Sequence, residues 1–189
     1  SPHTEPVIMT EVGSLPPSNM KSIGIPLDAI SIANLLNGRK SANVFEEDTD
    51  GKPNFGAPGA KILVVDDLST NLAVVVGLLR LYDVHADTAQ SGQDAINSMQ
   101  RKDYDLVFMD HMMPGMDGVE AVRRIRSLGG NCGNVPVVAL TANAMIGMRE
   151  FFIQHGFNDF ISKPIEPEKL QTALIKWLPP QLRIAKKGD

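Results

Sequence analysis

The stretch that decides the fold is "DLVFMDHMMPGMDG", Asp105 to Gly118. Its first half is a continuous apolar run, which is typical of a strand in a parallel sheet covered by helices on both faces. The run ends on a carboxylate, Asp110, and a Pro-Gly turn follows. An unpaired charge at the end of a buried strand is unfavourable. We therefore expect the rest of the chain to supply partners for Asp110.

The chain contains five short strand-like segments, and three of them are nearly continuous apolar runs. The predicted strands are "KILVV" (61–65), "VHADT" (84–88), "DLVFM" (105–109), "VPVVAL" (135–140) and "DFIS" (159–162). Helices are predicted at 69–82, 91–102, 118–128, 143–155 and 166–178, and cap signals stand at Ser69 and Ser91. Five β-α units with short connections favour an α/β fold with a doubly wound parallel sheet, because right-handed crossovers place helices on both faces.

Composition narrows the classes of function. The net charge of -4 and the pI near 5.5 argue against a nucleic-acid partner, because phosphate binding requires clustered positive charge. The single cysteine, Cys132, has no partner for a disulfide bond, and no apolar run approaches the ~20 residues of a membrane span. We expect a cytoplasmic protein without direct membrane contact, although a longer parent protein could carry an anchor.

Polar side chains follow the predicted strands at the points where the strands end. Asp66 and Asp67 follow the first strand, Asp110 the third, Thr141 the fourth and Lys163 the fifth. The carboxyl ends of parallel strands lie at one edge of the sheet, where ligands of such folds bind. These five side chains are therefore predicted to converge on one site.

The three carboxylates predict a metal. They repel one another at neutral pH unless one takes a proton or a cation joins them, and oxygen ligands of this kind favour Mg²⁺. An aspartate beside Mg²⁺ can attack a phosphoryl group and form an aspartyl phosphate. Lys163 and Thr141 have the chemistry to bind the phosphoryl oxygens, and Asp110 is the predicted nucleophile.

These motifs, in this order, resemble the receiver domain of two-component response regulators. The similarity covers about Lys61 to Leu178 and comprises "ILVVDD", "DLVFMDHMMPGMDG", "PVVALTA" and "FISKP". It implies a flavodoxin-like (βα)5 domain with the strand order 2-1-3-4-5. It also implies a signalling phosphoprotein in a phosphorelay, which catalyses its own phosphorylation and dephosphorylation and is not an enzyme for external substrates.

The resemblance assigns roles to the acidic residues. Asp110 would be the phosphoacceptor. Asp67, Asp110 and the backbone carbonyl of Met112 would contact Mg²⁺, and Asp66 would act through water. Met112 lies two residues after the acceptor, beside the path of an attacking water, so its bulk predicts slow hydrolysis of the aspartyl phosphate.

The resemblance also implies a switch. Lys163 would bind the phosphoryl group, the Lys163-Pro164 peptide bond would be cis, and Phe160 matches the aromatic switch position. Phosphorylation would favour a state in which Thr141 and Phe160 have moved inward. The surface of the fourth helix, fifth strand and fifth helix would then be remodelled.

Three motifs, "MDHMMPGMDG", "ALTANAM" and "GFNDFISKPI", resemble the receivers of hybrid histidine kinases more than those with DNA-binding outputs. This implies a phosphohistidine donor on a histidine kinase or a histidine phosphotransfer domain, and it allows a homodimer. Two alternatives remain open. A Mg²⁺-dependent aspartyl-phosphate phosphatase would carry "DxD" after its first strand, whereas Asp66 and Asp67 are adjacent. A docking module would keep the pocket without being phosphorylated.

The remaining segments have less definite patterns. The receiver domain is predicted at 61–180, with a segment at 1–47, a Pro/Gly-rich linker at 48–60 and a tail at 181–189. In the first segment, "PVIM" (6–9) and "SIGIPLDAISIANLLNG" (22–38) echo the back half of the domain. The segment is either half of a degenerate receiver, with Ile25 replacing the lysine, or an extended linker with a short helix, and the sequence leaves both open.

Three polar residues are given structural interpretations. Asp117 is predicted to cap the helix that follows it, and His155 to contact the end of its own helix. His111 follows the acceptor, but we expect it either to point to the opposite side from Asp110 by strand alternation or to lead into the loop, and no catalytic role is assigned to it.

Overall fold

The computed structural model describes residues 7–10, 21–24, 53, 55–142 and 147–186, and the chain divides into two units, Ser1–Glu46 and Glu47–Asp189. In the first unit, strand β1 (Val7–Thr10) pairs in parallel with β2 (Lys21–Gly24). A parallel pair is what the degenerate-receiver interpretation requires. The helix predicted after β2 lies outside the described residues, so both interpretations of this segment stay open.

The second unit contains seven strands among the residues that are described. Their bounds are β3 Phe55–Gly56, β4 Ile62–Val65, β5 Asp87–Ala89, β6 Leu106–Asp110, β7 Val137–Thr141, β8 Asp159–Ser162 and β9 Ile184–Ala185. Five of them form one parallel sheet in the order β5-β4-β6-β7-β8. Counted from β4, this is the predicted order 2-1-3-4-5, which is confirmed.

Helices cover both faces of this sheet. Their bounds are α1 Ser69–Arg80, α2 Gly92–Arg101, α3 Gly118–Leu128, α4 Gly130–Asn134, α5 Met148–Gln154 and α6 Pro167–Trp177, followed by a 3-10 turn at Pro180–Leu182. Ile62 and Val64 point to one side and pack with α1 and α6. Leu63 and Val65 point to the other and pack with α2, α3 and α5. This alternation gives the sheet its two cores.

Two local predictions need correction. The predicted strand at 84–88 lies instead at Asp87–Ala89, because Asp83 has a φ of 59° and Val84 still donates its N–H to Leu79, finishing the turn after α1. The cap predicted at Ser69 is also wrong. Leu68 is the N-cap, and it contributes no side-chain hydrogen bond because its side chain is apolar; its main-chain N–H donates to the carboxylate of Asp66. The predicted cap at Ser91 is confirmed.

The folded unit extends past the predicted boundaries at residues 61 and 180. Phe55 is 1% exposed, its ring lies 5.0 Å from that of Tyr82, and Ala57 donates to the Tyr82 carbonyl. Strand β3 pairs antiparallel with β9, so residues at both ends of the unit form a terminal clasp (residues 55–56 and 184–185). The sequence did not predict this pairing for two reasons. The Pro/Gly-rich composition around Phe55 is typical of a linker, and two-residue strands are too short to show a hydrophobic periodicity.

Candidate functional site

The carboxyl edge of the sheet gathers the predicted polar residues. Asp66 follows β4, Asp110 ends β6, and Thr141 ends β7. Each is buried, with exposed fractions of 0% for Asp66, 6% for Asp110 and 0% for Thr141. Lys163 follows β8 and donates its main-chain N–H to the carbonyl of Thr141. Burial of this many polar groups requires that they satisfy one another.

Lys163 is the partner that Asp110 needs. Its Nζ lies 2.8 Å from Oδ2 of Asp110 and 2.7 Å from Oδ2 of Asp66, so one ammonium group bridges two carboxylates. Burial by itself favours the neutral amine, but the hydrogen bonds to Asp110 and Asp66 prevail and raise the pKa of Lys163. Lys163 therefore remains a cation in the pocket at neutral pH.

Neighbouring groups fix the orientation of the two carboxylates. Oδ1 of Asp66 accepts hydrogen bonds from the Leu68 N–H at 3.0 Å and from Nδ2 of Asn71 at 2.9 Å. Oδ1 of Asp110 accepts from the Met112 N–H at 3.2 Å. The role of Asn71 at this site was not predicted from the sequence. Its position one turn into the helix that follows Asp66 is the signal that could have found it.

The acidic cluster has the composition of a metal site. Asp66, Asp67 and Asp110 each offer a carboxylate oxygen, and these atoms lie within 4.8 Å of one another. Hard oxygen donors at this spacing fit Mg²⁺, which binds through one or two carboxylates and keeps several waters. These residues could therefore hold Mg²⁺. The role predicted for the carbonyl of Met112 stays a prediction.

The loop after Asp110 folds back against its own strand. The main-chain N–H of Gly118 donates to the carbonyl of His111 at 3.1 Å. A Cβ at Gly118 would collide with the backbone carbonyl oxygen of Asp110, so only glycine permits this approach. Asp117 accepts the Glu120 N–H at 2.7 Å, which confirms its predicted role as a helix cap. The turn thus holds the end of β6 in place.

The predicted switch residues lie beside the site. Thr141 is fully buried, and Phe160, on β8, is half-buried with its ring stacked on that of Phe152 at 5.9 Å. The Lys163-Pro164 peptide bond is cis, as the resemblance implied. The inward movement assigned to Thr141 and Phe160 stays a prediction.

His111 lies between the site and helix α5. Its Nδ1 is 3.2 Å from the carbonyl oxygen of Leu140 and 3.8 Å from Oδ1 of Asp110, and its ring meets that of Phe152 edge-on. His155 contacts the carbonyl of Phe151 within α5 at 2.7 Å, which confirms its predicted contact with its own helix. Both histidines thus have partners of their own.

Exposed apolar side chains stand after Asp67, two residues after Asp110, and within α1. Leu68, Val74 and Met112 are 53%, 56% and 69% exposed. Helix α1 carries no charged residue from Ser69 to Leu79.

Comparison with known proteins decides the family. The sequence profile of the response regulator receiver domain matches residues 62–175. The chain belongs to this family. The receiver domain is also 36% identical over 127 residues to the sensor protein GacS of Pseudomonas syringae pv. syringae, an alignment covering 66% of this chain and 14% of GacS.

Two solved structures resemble this receiver domain. The receiver domain of sensor histidine kinase PA1611 from Pseudomonas aeruginosa PAO1, with magnesium in its active-site cleft, is 39% identical with a TM-score of 0.58, covering 63% of this chain and 97% of that one. The second is a chain from the Saccharomyces cerevisiae complex of the phosphotransfer protein Ypd1 with the receiver domain of the response regulator Ssk1. It is 28% identical with a TM-score of 0.59, covering 65% of this chain and 91% of that one.

The chain spans only a small part of its curated relatives, 14% of GacS and 13% of the histidine kinase BarA of Escherichia coli K12. The relatives include hybrid histidine kinases, and the receiver domain is a module of two-component signalling. Among the described residues, none of the helices is both long and apolar enough to cross a bilayer.

Proposed function

We propose that this receiver domain accepts a phosphoryl group from a phosphohistidine onto Asp110, with Mg²⁺ as cofactor. The observation that carries the proposal is the bridge from Lys163 to Asp66 and Asp110, at 2.7 and 2.8 Å, beside a cluster of three carboxylates. A structural ion pair needs one carboxylate. A third acid, Asp67, adds repulsion that a bound cation would relieve.

The chemistry is a balanced phosphoryl transfer. A carboxylate oxygen of Asp110 attacks phosphorus, the new P–O bond forms, and the P–N bond to the donor imidazole breaks with its electron pair passing to nitrogen. Asp66, Asp67 and Asp110 would hold Mg²⁺, which when bound neutralises charge on the phosphoryl oxygens. Lys163 exchanges its contact with Asp110 for a phosphoryl oxygen, and Thr141 offers a hydroxyl to another.

The donor is a histidine kinase or a histidine phosphotransfer domain. The match that contains Ypd1 with a receiver domain supports this class of partner. We propose that exposed apolar side chains near the site offer a docking surface: Leu68 caps α1, Val74 lies within α1, and Met112 follows Asp110 by two residues, and each is more than half exposed. Water is excluded from the transfer when a partner covers these side chains.

The outcome of phosphorylation is a change of surface. We propose that α5, β8 and α6 change their exposed face when Asp110 is modified, following the displacement of Thr141 and Phe160. A homodimer and a cytoplasmic location stay predictions. The signal passes to a partner, and the domain does not turn over an external substrate.

Intact-mass measurement with phosphoramidate, with and without Mg²⁺, tests the proposal. Wild type should gain one phosphoryl group only with Mg²⁺, and Asp110→Asn should gain none. Asp117→Asn is the matched control, because Asp117 caps α3 on the same loop and should leave the adduct intact. A wild type that stays unmodified under all conditions would favour the docking module. Continuous release of phosphate from p-nitrophenyl phosphate would favour the phosphatase.

A further inference from the structure

The side chain after the proposed acceptor, His111, is enclosed between Asp110, strand β7 and helix α5, and its Nδ1 lies 3.8 Å from Oδ1 of Asp110. His111 has 13% of its side chain exposed, so it is largely enclosed. Its main-chain N–H and its Nδ1 both lie 3.2 Å from the carbonyl oxygen of Leu140. A carbonyl only accepts, so the ring carries its proton on Nδ1 in this contact. His111 is thereby tied to β7 one residue before Thr141.

The other end of this ring meets a packed group of aromatic side chains. The ring of Phe152 lies 5.5 Å from that of His111 at an interplanar angle of 88°, an edge-to-face contact. Phe152 is 0% exposed and lies 5.3 Å from Phe157 and 5.9 Å from Phe160, stacking on the latter. In a close-packed interior, a shift of one ring displaces its neighbours.

We propose that His111 is a positioning residue that couples the state of Asp110 to helix α5 and to Phe160. The inference rests on the proposed function, since it needs Asp110 to be modified. Movement of the Asp110 main chain carries the His111 ring with it, the ring pushes on the face of Phe152, and Phe152 passes the displacement to Phe160. This route runs through α5 and is separate from the route that passes directly from Thr141 to Phe160.

The coupling requires a flat ring more than it requires a basic nitrogen. His111→Phe keeps the edge-to-face contact with Phe152 and loses the hydrogen bond to Leu140. His111→Leu fills the space without a ring. His155→Leu is the matched control, because His155 also contacts an α5 aromatic ring, Phe151 at 4.2 Å, but is exposed and reaches Phe152 only through Phe151.

Two measurements on the same set of variants separate this inference from the proposed function. Mass spectrometry after phosphoramidate records whether Asp110 is modified. Amide chemical shifts with beryllofluoride, a phosphoryl mimic, record the response of residues 148–162. We expect His111→Leu to be modified as fully as wild type while its shift changes in 148–162 fall to about half or less, the scale of a coupling loss of this kind. His111→Phe and His155→Leu should respond as wild type does.

Four results would overturn this inference or its basis. A full response in His111→Leu would show that the ring carries no coupling. A lost response in His111→Phe, with the fold intact, would place the effect in the hydrogen bond and refute the ring contact. If His111→Leu does not fold, Phe152→Leu removes the other partner of the contact, and a full response in that variant would refute the inference. A wild type without adduct would instead refute the proposed function.

Discussion

Replacing Lys163 with methionine tests the electrostatics of the pocket most directly. The methionine fills nearly the same volume but cannot donate to Asp66 and Asp110, whose oxygens now lie 2.7 and 2.8 Å from Nζ. Two carboxylates that are 0% and 8% exposed in their side chains would lose their common cation. We expect Lys163→Met to lower the free energy of unfolding in the absence of Mg²⁺.

The magnitude follows from the two contacts. A hydrogen bond to a charged group contributes about 1.5–3 kcal/mol, and breaking a buried ion pair by removing one partner costs about 3–5 kcal/mol. Lys163 is 21% exposed, so water enters the vacated space and lowers the loss. Asp66 also keeps its hydrogen bonds from Leu68 and Asn71. We therefore expect a loss of about 2–4 kcal/mol.

Urea unfolding at neutral pH, followed by circular dichroism, measures this loss. Lys169→Met is the matched control, because Lys169 is 45% exposed and pairs with Glu166 on the surface, so its loss should stay below about 1 kcal/mol. Saturating Mg²⁺ should restore part of the stability of Lys163→Met, since a cation in the acidic cluster replaces the missing charge. A loss no larger than that of Lys169→Met would refute the argument that Lys163 holds the pocket together.

Three further predictions follow. Burial favours the neutral amine of Lys163, yet the hydrogen bonds to Asp110 and Asp66 raise the pKa of Lys163 above the usual 10.5. The stabilisation by Lys163 is therefore present below pH 10.5 and is lost as the pH rises through the raised pKa. Thermal melts above pH 10.5 should show a steeper decline of stability in wild type than in Lys163→Met, and parallel curves would contradict this. Met112→Asn should shorten the half-life of the aspartyl phosphate, followed by mass spectrometry, and an unchanged half-life would remove steric hindrance as the cause. Phe55→Ala should destabilise the domain to urea by about 3–5 kcal/mol, because Phe55 is 1% exposed; a loss below about 1 kcal/mol would place residue 55 outside the cooperative unit.

The sheet and its polar edge could be read from the sequence because parallel strands deliver their last residues to one place. The bridge between Lys163 and Asp110 joins residues 53 positions apart, yet the topology alone predicts that they meet. The contact of Asn71 with Asp66 could not be predicted this way, since it depends on the rotation of α1 about its axis. A periodicity of hydrophobic residues fixes which face of a helix is buried, but it does not fix which polar atom reaches a given carboxylate.

The pairing of the two-residue strands β3 and β9 could not be predicted from the sequence either. Phe55 and Gly56 pair with Ala185 and Ile184, which lie near the other end of the domain in sequence. Neither two-residue segment is long enough to show an alternation of apolar and polar residues. Strand alternation predicted that His111 points away from Asp110, but its Nδ1 lies 3.8 Å from Oδ1 of Asp110. The edge-on contact of His111 with Phe152 was not predictable, because it depends on how α5 packs over the sheet.

The terminal clasp has a mechanical consequence. Because β3 and β9 run antiparallel, Phe55 pairs with Ala185 at the end where the chain enters and leaves, and Gly56 pairs with Ile184 one step further in. A tensile load on the two flanking segments would open these pairs one after the other, like a zipper. Lys186 adds two contacts beside this pairing. Its Nζ lies 2.7 Å from the Leu81 carbonyl oxygen and 3.0 Å from Asp83, and both contacts oppose the separation of the strands. Strain arriving through the flanking chain is thus absorbed near the C-terminal end of α1, a helix length away from the carboxylates.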